Sequence, residues 1–237
     1  KYQVLAGLIL SAAAGMATYV AEDRNIKAEA ASKAAEQISE IEERIALAYV
    51  ELDSASILIS QAHPRIPEVL DYIYRLSLSK ARNVPWIWAY VINDGELPMV
   101  EAEVRSQMSL PNYSVVRSTE RSSLLAPVIL TTAPLDKQLL GADLVGQPAL
   151  SSLFQPADIS RSAPPAAPLV IITGKGYPPD TLFMIRQLPA TAKSAGVQSR
   201  SSMILRGITA ANLALSAKLE EGQLLRVVDR TVVPPRT

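Results

Sequence analysis

Along residues 124–154, LLAPVILTTAPLDKQLLGADLVGQPALSSLF, the spacing of apolar and polar positions changes within one run. Branched residues crowd Val128, Ile129, Leu130, Thr131 and Thr132 after Pro127, a composition that suits a pleated, at least half-buried strand; Ala133 and Pro134 close it. Leu139 and Leu140 then lead to Gly141, Asp143 and Gly146 punctuate a turn, and Pro148 stands where the first turn of a helix reading PALSSLF accepts it. Strand, loop and helix in that order carry a connection across the open face of a sheet, where small ligands commonly sit. A packed corner is the plainer alternative.

Upstream, residues 2–21 contain no charge, with Lys1 before them and Glu22, Asp23 and Arg24 after. At ~1.5 Å per residue such a helix spans roughly the ~30 Å hydrocarbon layer. The charged helix continuing past Arg24 argues against removal as a signal peptide, so the segment predicts an uncleaved single anchor. A buried helix of a soluble protein is the alternative. Small residues including Ser11 and Gly15 let another helix approach this span closely. Beyond it, Ala31, Ala34, Ile38, Ile41, Ile45, Ala48, Leu52, Ala55, Ile59 and Ala62 recur at alternating three- and four-residue steps, a heptad seam. That stalk serves a dimer or docks on its own domain, and Glu40, Glu42, Glu43, Arg44 and Glu51 fall off the seam into water. Pro64 ends it, with His63 as a helix-end residue.

A second amphipathic helix is predicted over residues 67–82, with Val69, Leu70, Ile73, Leu76 and Leu78 inward. In PWIWAYVIND, Trp86, Trp88, Tyr90 and Ile92 alternate with Ile87, Ala89 and Val91 as in a strand, and Asp94-Gly95 supplies a turn. A helix over residues 96–108 places Val100 and Val104 inward, and YSVVRS predicts a further strand. The Pro-, Ala- and Ser-rich residues 160–168 read as a surface connection, and residues 169–172 as a buried strand. TGKGYPPD lacks the further glycine and helix start of a phosphate cradle and reads as a hairpin turn. Strands follow over residues 182–186 and 202–208, separated by a polar loop through Lys193, Ser199 and Arg200. A short helix over residues 209–219, capped by Gly222, and a last strand over 224–228 complete the chain.

Composition removes most other classes. Lys plus Arg equals Asp plus Glu at 23 each, so no global charge points to nucleic acid. Without cysteine, and with His63 as the lone histidine, thiolate metal sites and Ser-His-Asp chemistry lack their parts. Asp143, Glu101 and Glu103 show no spacing that would shift a pKa and are read as solvated. The expectation is a protein that is not an enzyme, with no catalytic residue, metal or cofactor.

Taken in order, the amphipathic stalk, PWIWAYV, VEAEVRSQ, YSVV, LLAPVIL, LLGADL and PALSSLF resemble the CHASE sensory domain of bacterial and plant membrane receptors. The resemblance implies an α/β (α+β) fold outside the cytoplasm: an N-terminal transmembrane helix and long stalk helix, then two tandem PAS-like antiparallel-sheet halves. On that pattern residues 1–21 form the anchor, 22–83 the stalk and second helix, 84–160 the membrane-distal half and 161–237 the membrane-proximal half. The distal half would hold a small-molecule pocket, falling here on Trp88, Tyr90, Leu130, Thr132, Ala133, Leu150 and Phe154. Cytokinin-binding members place a carboxylate where this chain has Ala133. An adenine edge left unpaired there costs about 1–3 kcal/mol, which speaks against cytokinin.

Two roles follow as expectations. One is a ligand-binding sensory domain on a single anchor, its bulk periplasmic, without the second span and the kinase or cyclase that family receptors carry. The other is a non-catalytic, single-span accessory subunit of a larger membrane complex, respiratory or photosynthetic. Partners are then membrane lipid, other membrane subunits or a second copy through span and stalk, and a small molecule; nucleic acid is not among them.

Overall fold

The computed structural model describes residues 2–62, 64–77, 84–118, 123–132, 135, 137–154, 169–172, 174–178, 180–190, 200–209 and 212–213, with the side chains of the first helix from residue 22 onward. Helices α1 (Tyr2–Ala62) and α2 (Ile66–Ser77) precede strand β1 (Trp86–Asn93) and helix α3 (Leu97–Met108). Strands β2 (Leu124–Leu125), β3 (Val128–Thr131), β4 (Leu169–Ile171), β5 (Thr181–Leu188) and β6 (Ser201–Thr209) follow. The chain is α+β, with helices packed on an antiparallel sheet.

The strand order is β2-β1-β6-β5-β4, and β3 also pairs with β1. Ile92 lies opposite Leu125 and Trp88 opposite Leu130, so β2 and β3 act as one broken strand along a single edge of β1. Pro127, which has no N–H to donate, sits at the break, and the register of β1 shifts between Trp88 and Ala89. The other edge of β1 takes β6, from Trp86 opposite Arg206 to Val91 opposite Ser201.

That pairing corrects the expectation of two tandem sheets: among the described residues β1 and β6, assigned to different halves, are direct neighbours in one sheet. Both strands are buried along most of their length, β1 as an almost wholly apolar run and β6 with Arg206 set among apolar residues. The division at residues 160/161 lies outside the described residues. β4 is an edge strand rather than a buried one, and Ile171 is 57% exposed. TGKGYPPD does turn a hairpin, since β4 and β5 pair antiparallel and Gly174 and Gly176 both have positive φ. YSVVRS forms no strand. Val116 makes an isolated bridge to Ala142, while the Tyr113 hydroxyl donates to the Val128 carbonyl and Glu101 accepts from the Val115 amide, ties that replace a ladder.

In α1 the seam docks on its own domain. Ile41, Ala48, Leu52, Ala55 and Ile59 are buried against β5 and β6, the two alanines letting the helix lie close to the strands. Ala31, Ala34 and Ile38 of the same seam are exposed. α2 buries Ile66, Val69 and Ile73, with Leu70 and Leu76 half-buried. Its first turn is closed by Glu68, which accepts from the Arg65 amide at 3.0 Å. α3 buries Val100 and Val104 as expected and ends at Ser109, whose φ is +53°.

Residues 2–21 are helical in backbone; their side chains, Ser11 and Gly15 included, lie outside the described residues. Among the described residues no helix is long and apolar enough to cross a membrane. His63, Leu78, Ala133, the connection at residues 160–168, the loop through Lys193 and Ser199, and the segment with Gly222 and the strand over 224–228 also lie outside. Asn212 and Leu213 are helical within the expected helix over 209–219.

Alternation along the strands gives the sheet two covered faces. Trp86, Trp88, Tyr90, Ile92, Met184, Ile204 and Ile208 face the helices. Ile87, Ala89, Phe183, Ile185, Met203 and Leu205 face a layer of 3-10 turns over Lys137–Leu139, Leu144–Gly146 and Pro148–Phe154. Gly141 joins two of these turns at φ +82°. A Cβ there would stand 2.1 Å from the Ser114 carbonyl oxygen, so only glycine fits.

Candidate functional site

The residues expected to line one pocket are divided by the sheet. Trp88 and Leu130 are cross-strand partners on the helix face, and Tyr90 meets Trp88 edge-on with ring centroids 5.5 Å apart. Leu150 and Phe154 are buried on the opposite face. Thr132 is held as a structural joint, its hydroxyl accepting from the Trp86 amide at 3.0 Å and donating to the Val84 carbonyl at 2.8 Å. Trp88, Tyr90 and Leu130 come together; Leu150 and Phe154 do not join them.

The helix face carries charge that the sequence reading placed elsewhere. Glu51, expected in water, is 9% exposed, and its carboxylate accepts from Arg206 Nε on β6 at 2.7 Å. Arg206 lies over the Trp86 ring, 5.7 Å from its centroid. Two residues along α1, Asp53 accepts from Arg186 Nε on β5 at 2.9 Å. A third cluster sits at the end of β6 nearest α3: Arg200 pairs with Glu103 and stacks 5.4 Å over Tyr90, whose hydroxyl donates to Glu103 at 3.2 Å. Gln107 extends it, donating to Glu103 and accepting from the Ile66 amide that opens α2. Arginine inside an otherwise apolar strand was the available signal, because a buried guanidinium requires an acid partner. Among these groups the Trp86 and Trp88 indole N–H groups are buried without a hydrogen-bond partner.

On the loop face Asp143 corrects a second expectation. It is 5% exposed rather than solvated, and its carboxylate accepts from the Ala126 and Val145 amides and from the Ser118 hydroxyl, at 2.8, 3.1 and 2.7 Å. Glu101 is occupied by Arg105 and the Val115 amide, and Glu103 as above. All three carboxylates are consumed in structural bonds, and among the described residues no cluster of three or more His, Cys, Asp or Glu side chains is arranged to hold a metal. Tyr177, read in the sequence only as part of a turn, is buried in this apolar layer edge-on to Phe183, and its hydroxyl has no partner. Leu150 and Phe154 belong to the same cluster. An unpaired hydroxyl in an apolar layer costs free energy until it finds a partner.

Burial pushes the Tyr177 phenol up to about 12 and also raises Tyr90 and Tyr113, the latter two further raised by the charges of Glu103 and Glu101. Unfolded tyrosine ionises near 10, so above about pH 10 the unfolded chain binds fewer protons and stability falls as pH rises. Below that pH these groups contribute no pH dependence. Tyr177 alone accounts for roughly 3 kcal/mol lost between about pH 10 and 12. Urea midpoints of the full chain at pH 9, 10.5 and 11.5 measure the decline, and Tyr177→Phe is expected to make it shallower, with Tyr90 and Tyr113 still contributing.

No protein-family model matches the chain, and no characterised protein matches it in sequence.

Proposed function

We propose that the chain is a CHASE-like extracytoplasmic sensory domain on a single N-terminal anchor, non-catalytic and free of cofactors, with α1 as its output lever. The observation that carries this reading is the attachment of α1. Its 61 residues reach roughly 90 Å at ~1.5 Å each, yet between residues 22 and 40 no side chain is buried. From residue 41 onward the helix is fastened to β5 and β6 by the aliphatic seam and by Glu51–Arg206 and Asp53–Arg186. A shift of the sheet therefore moves a long, stiff helix whose far end is the uncharged segment, in this reading embedded in lipid.

The ligand in this reading is a small, largely apolar molecule with one polar atom, received on the loop face beside Tyr177, Leu150 and Phe154. Native mass spectrometry of the full chain in lipid nanodiscs tests it. A retained small molecule is expected, with affinity about tenfold weaker in Tyr177→Phe, the effect of one lost buried hydrogen bond. A chain that holds no molecule under any condition of gentle extraction sinks the sensory reading.

One observation favours the second reading, an accessory subunit of a membrane complex. Leu47, Val50 and Ile57 are exposed on the flank of α1 turned away from the sheet, apolar surface that a subunit interface covers. Co-purification with other membrane subunits, with no small molecule bound, supports that role in place of sensing.

A further inference from the structure

Five of the nine exposed large hydrophobic side chains among the described residues lie on α1. Three of them, Leu47, Val50 and Ile57, are 39%, 61% and 53% exposed at helical spacings of three and seven. They share one flank, opposite the buried Ala48, Leu52, Ala55 and Ile59. Leu58 continues the stripe into an open groove of about 270 Å³ between α1 and α2, bounded by Pro64, Glu68, Tyr72 and Arg75. Glu68 and Arg75 are engaged by Arg65 and Asp71, so the groove is balanced in charge.

Toward the N-terminus the same flank changes character. Steps of four and three residues back from Leu47 reach Glu43, Glu40 and Glu36, and the exposed Glu36 and Glu43 have no cationic partner among the described residues. The flank is thus aliphatic in its C-terminal half and acidic in its N-terminal half. A second copy aligned in parallel would set Glu36, Glu40 and Glu43 against themselves, a like-charge arrangement that costs rather than contributes. An anionic lipid surface is repelled for the same reason.

We propose that this flank of α1, between residues 36 and 58, docks a basic amphipathic helix of another protein. Aliphatic side chains of the partner cover Leu47, Val50 and Ile57, one of them entering the groove at Leu58, and its Lys or Arg residues lie along Glu36 and Glu43. The apolar centre supplies affinity, and the acidic end selects the partner and fixes its direction. The proposal rests on the subunit reading only in requiring a heterologous partner.

A photo-crosslinking residue at Ser54, in the middle of the stripe, tests it in the native host with the full chain. The expected product is an adduct with a different protein, whose crosslinked segment, read by mass spectrometry, has more Lys and Arg than Asp and Glu. Val50→Ser with Ile57→Ser lowers its yield about tenfold, the loss of two buried aliphatic anchors. Glu36→Gln with Glu43→Gln lowers it about threefold, as rim charge pairs do. None of these four side chains touches the clamp to β5 and β6, so the urea midpoint is expected to hold. A heterologous adduct indifferent to the charge variants, or an acidic contact segment, overturns the docking chemistry while leaving the subunit reading intact. An adduct of twice the chain mass, or no adduct, overturns both.

Discussion

Replacing Glu51 by glutamine is expected to destabilise the full chain by about 3–5 kcal/mol, the usual result of stripping one partner from a buried ion pair. Glu51 and Arg206 have side chains only 11% and 7% exposed, which leaves bulk solvent little room to compensate a lone guanidinium. Burial already pulls the Arg206 pKa down against the pull of Glu51, so the arginine is held charged by its partner rather than by solvent. Glutamine retains the shape and one acceptor but no charge. The Asp53–Arg186 pair two residues on has a carboxylate 47% exposed, and Asp53→Asn is expected to cost only about 0–1 kcal/mol.

Joint replacement separates the charge from the packing. Glu51→Met with Arg206→Met is expected to return most of the lost stability, because two apolar side chains of similar volume need no desolvation. In that double variant the methionine stem on β6 keeps the cover over the Trp86 ring that Arg206 now provides. Urea unfolding of the wild type, both single variants and the double variant gives the coupling directly. A Glu51→Gln chain with an unchanged midpoint would mean that the Glu51–Arg206 pair does not hold α1 to the sheet.

The elements legible in the sequence were those whose side chains follow one period and one environment. β1 was visible because Trp86, Trp88, Tyr90 and Ile92 alternate with Ile87, Ala89 and Val91, and β5 and β6 because Leu182-Phe183-Met184-Ile185 and Met203-Ile204-Leu205 are short bulky apolar runs of strand length. The seam of α1 was visible as a heptad, but a heptad does not say what it meets, and alanines at Ala48 and Ala55 suit a sheet as well as a helix. Pairing across sequence distance was not legible. Nothing local in Trp86–Asn93 says that its neighbour is Ser201–Thr209, and that single pairing turns two expected sheets into one. The pocket differs for a related reason: the resemblance groups residues of β1, β3 and the Pro148–Phe154 turn, while Trp88, Tyr90 and Leu130 pack on the helix face and the turn packs on the opposite one. Charged residues were assigned to water by type, which overlooked that Glu51 and Asp143 each have a buried partner to satisfy.

Asp143→Ala is the second large effect, expected at about 3–5 kcal/mol, because one carboxylate joins three separate segments of the loop layer. One oxygen accepts from the amides of Ala126 and Val145 and the other from the hydroxyl of Ser118. Backbone bonds run beside them, the Leu144 amide donating to Ala126 and the Asp143 amide to Val116, so the side chain locks strand-like segments that are too short to hold as ladders. Alanine leaves the buried Ala126 amide without an acceptor and frees the turn Leu144–Gly146, whose first residue Leu144 is fully buried. Asparagine keeps a single acceptor oxygen and is expected to lose roughly half as much, and Ser118→Ala, which removes one hydroxyl, about 1 kcal/mol. The order Ala, Asn, then Ser118→Ala in urea midpoints distinguishes a carboxylate that gathers several donors from one that merely fills space. If the sensory reading holds, the same variants weaken ligand retention, since Leu150 and Phe154 sit on the turn that follows the one Asp143 anchors. A Tyr177→Phe chain, by contrast, loses ligand with its midpoint near neutral pH unchanged, and the two variants together separate a loosened site from a missing contact.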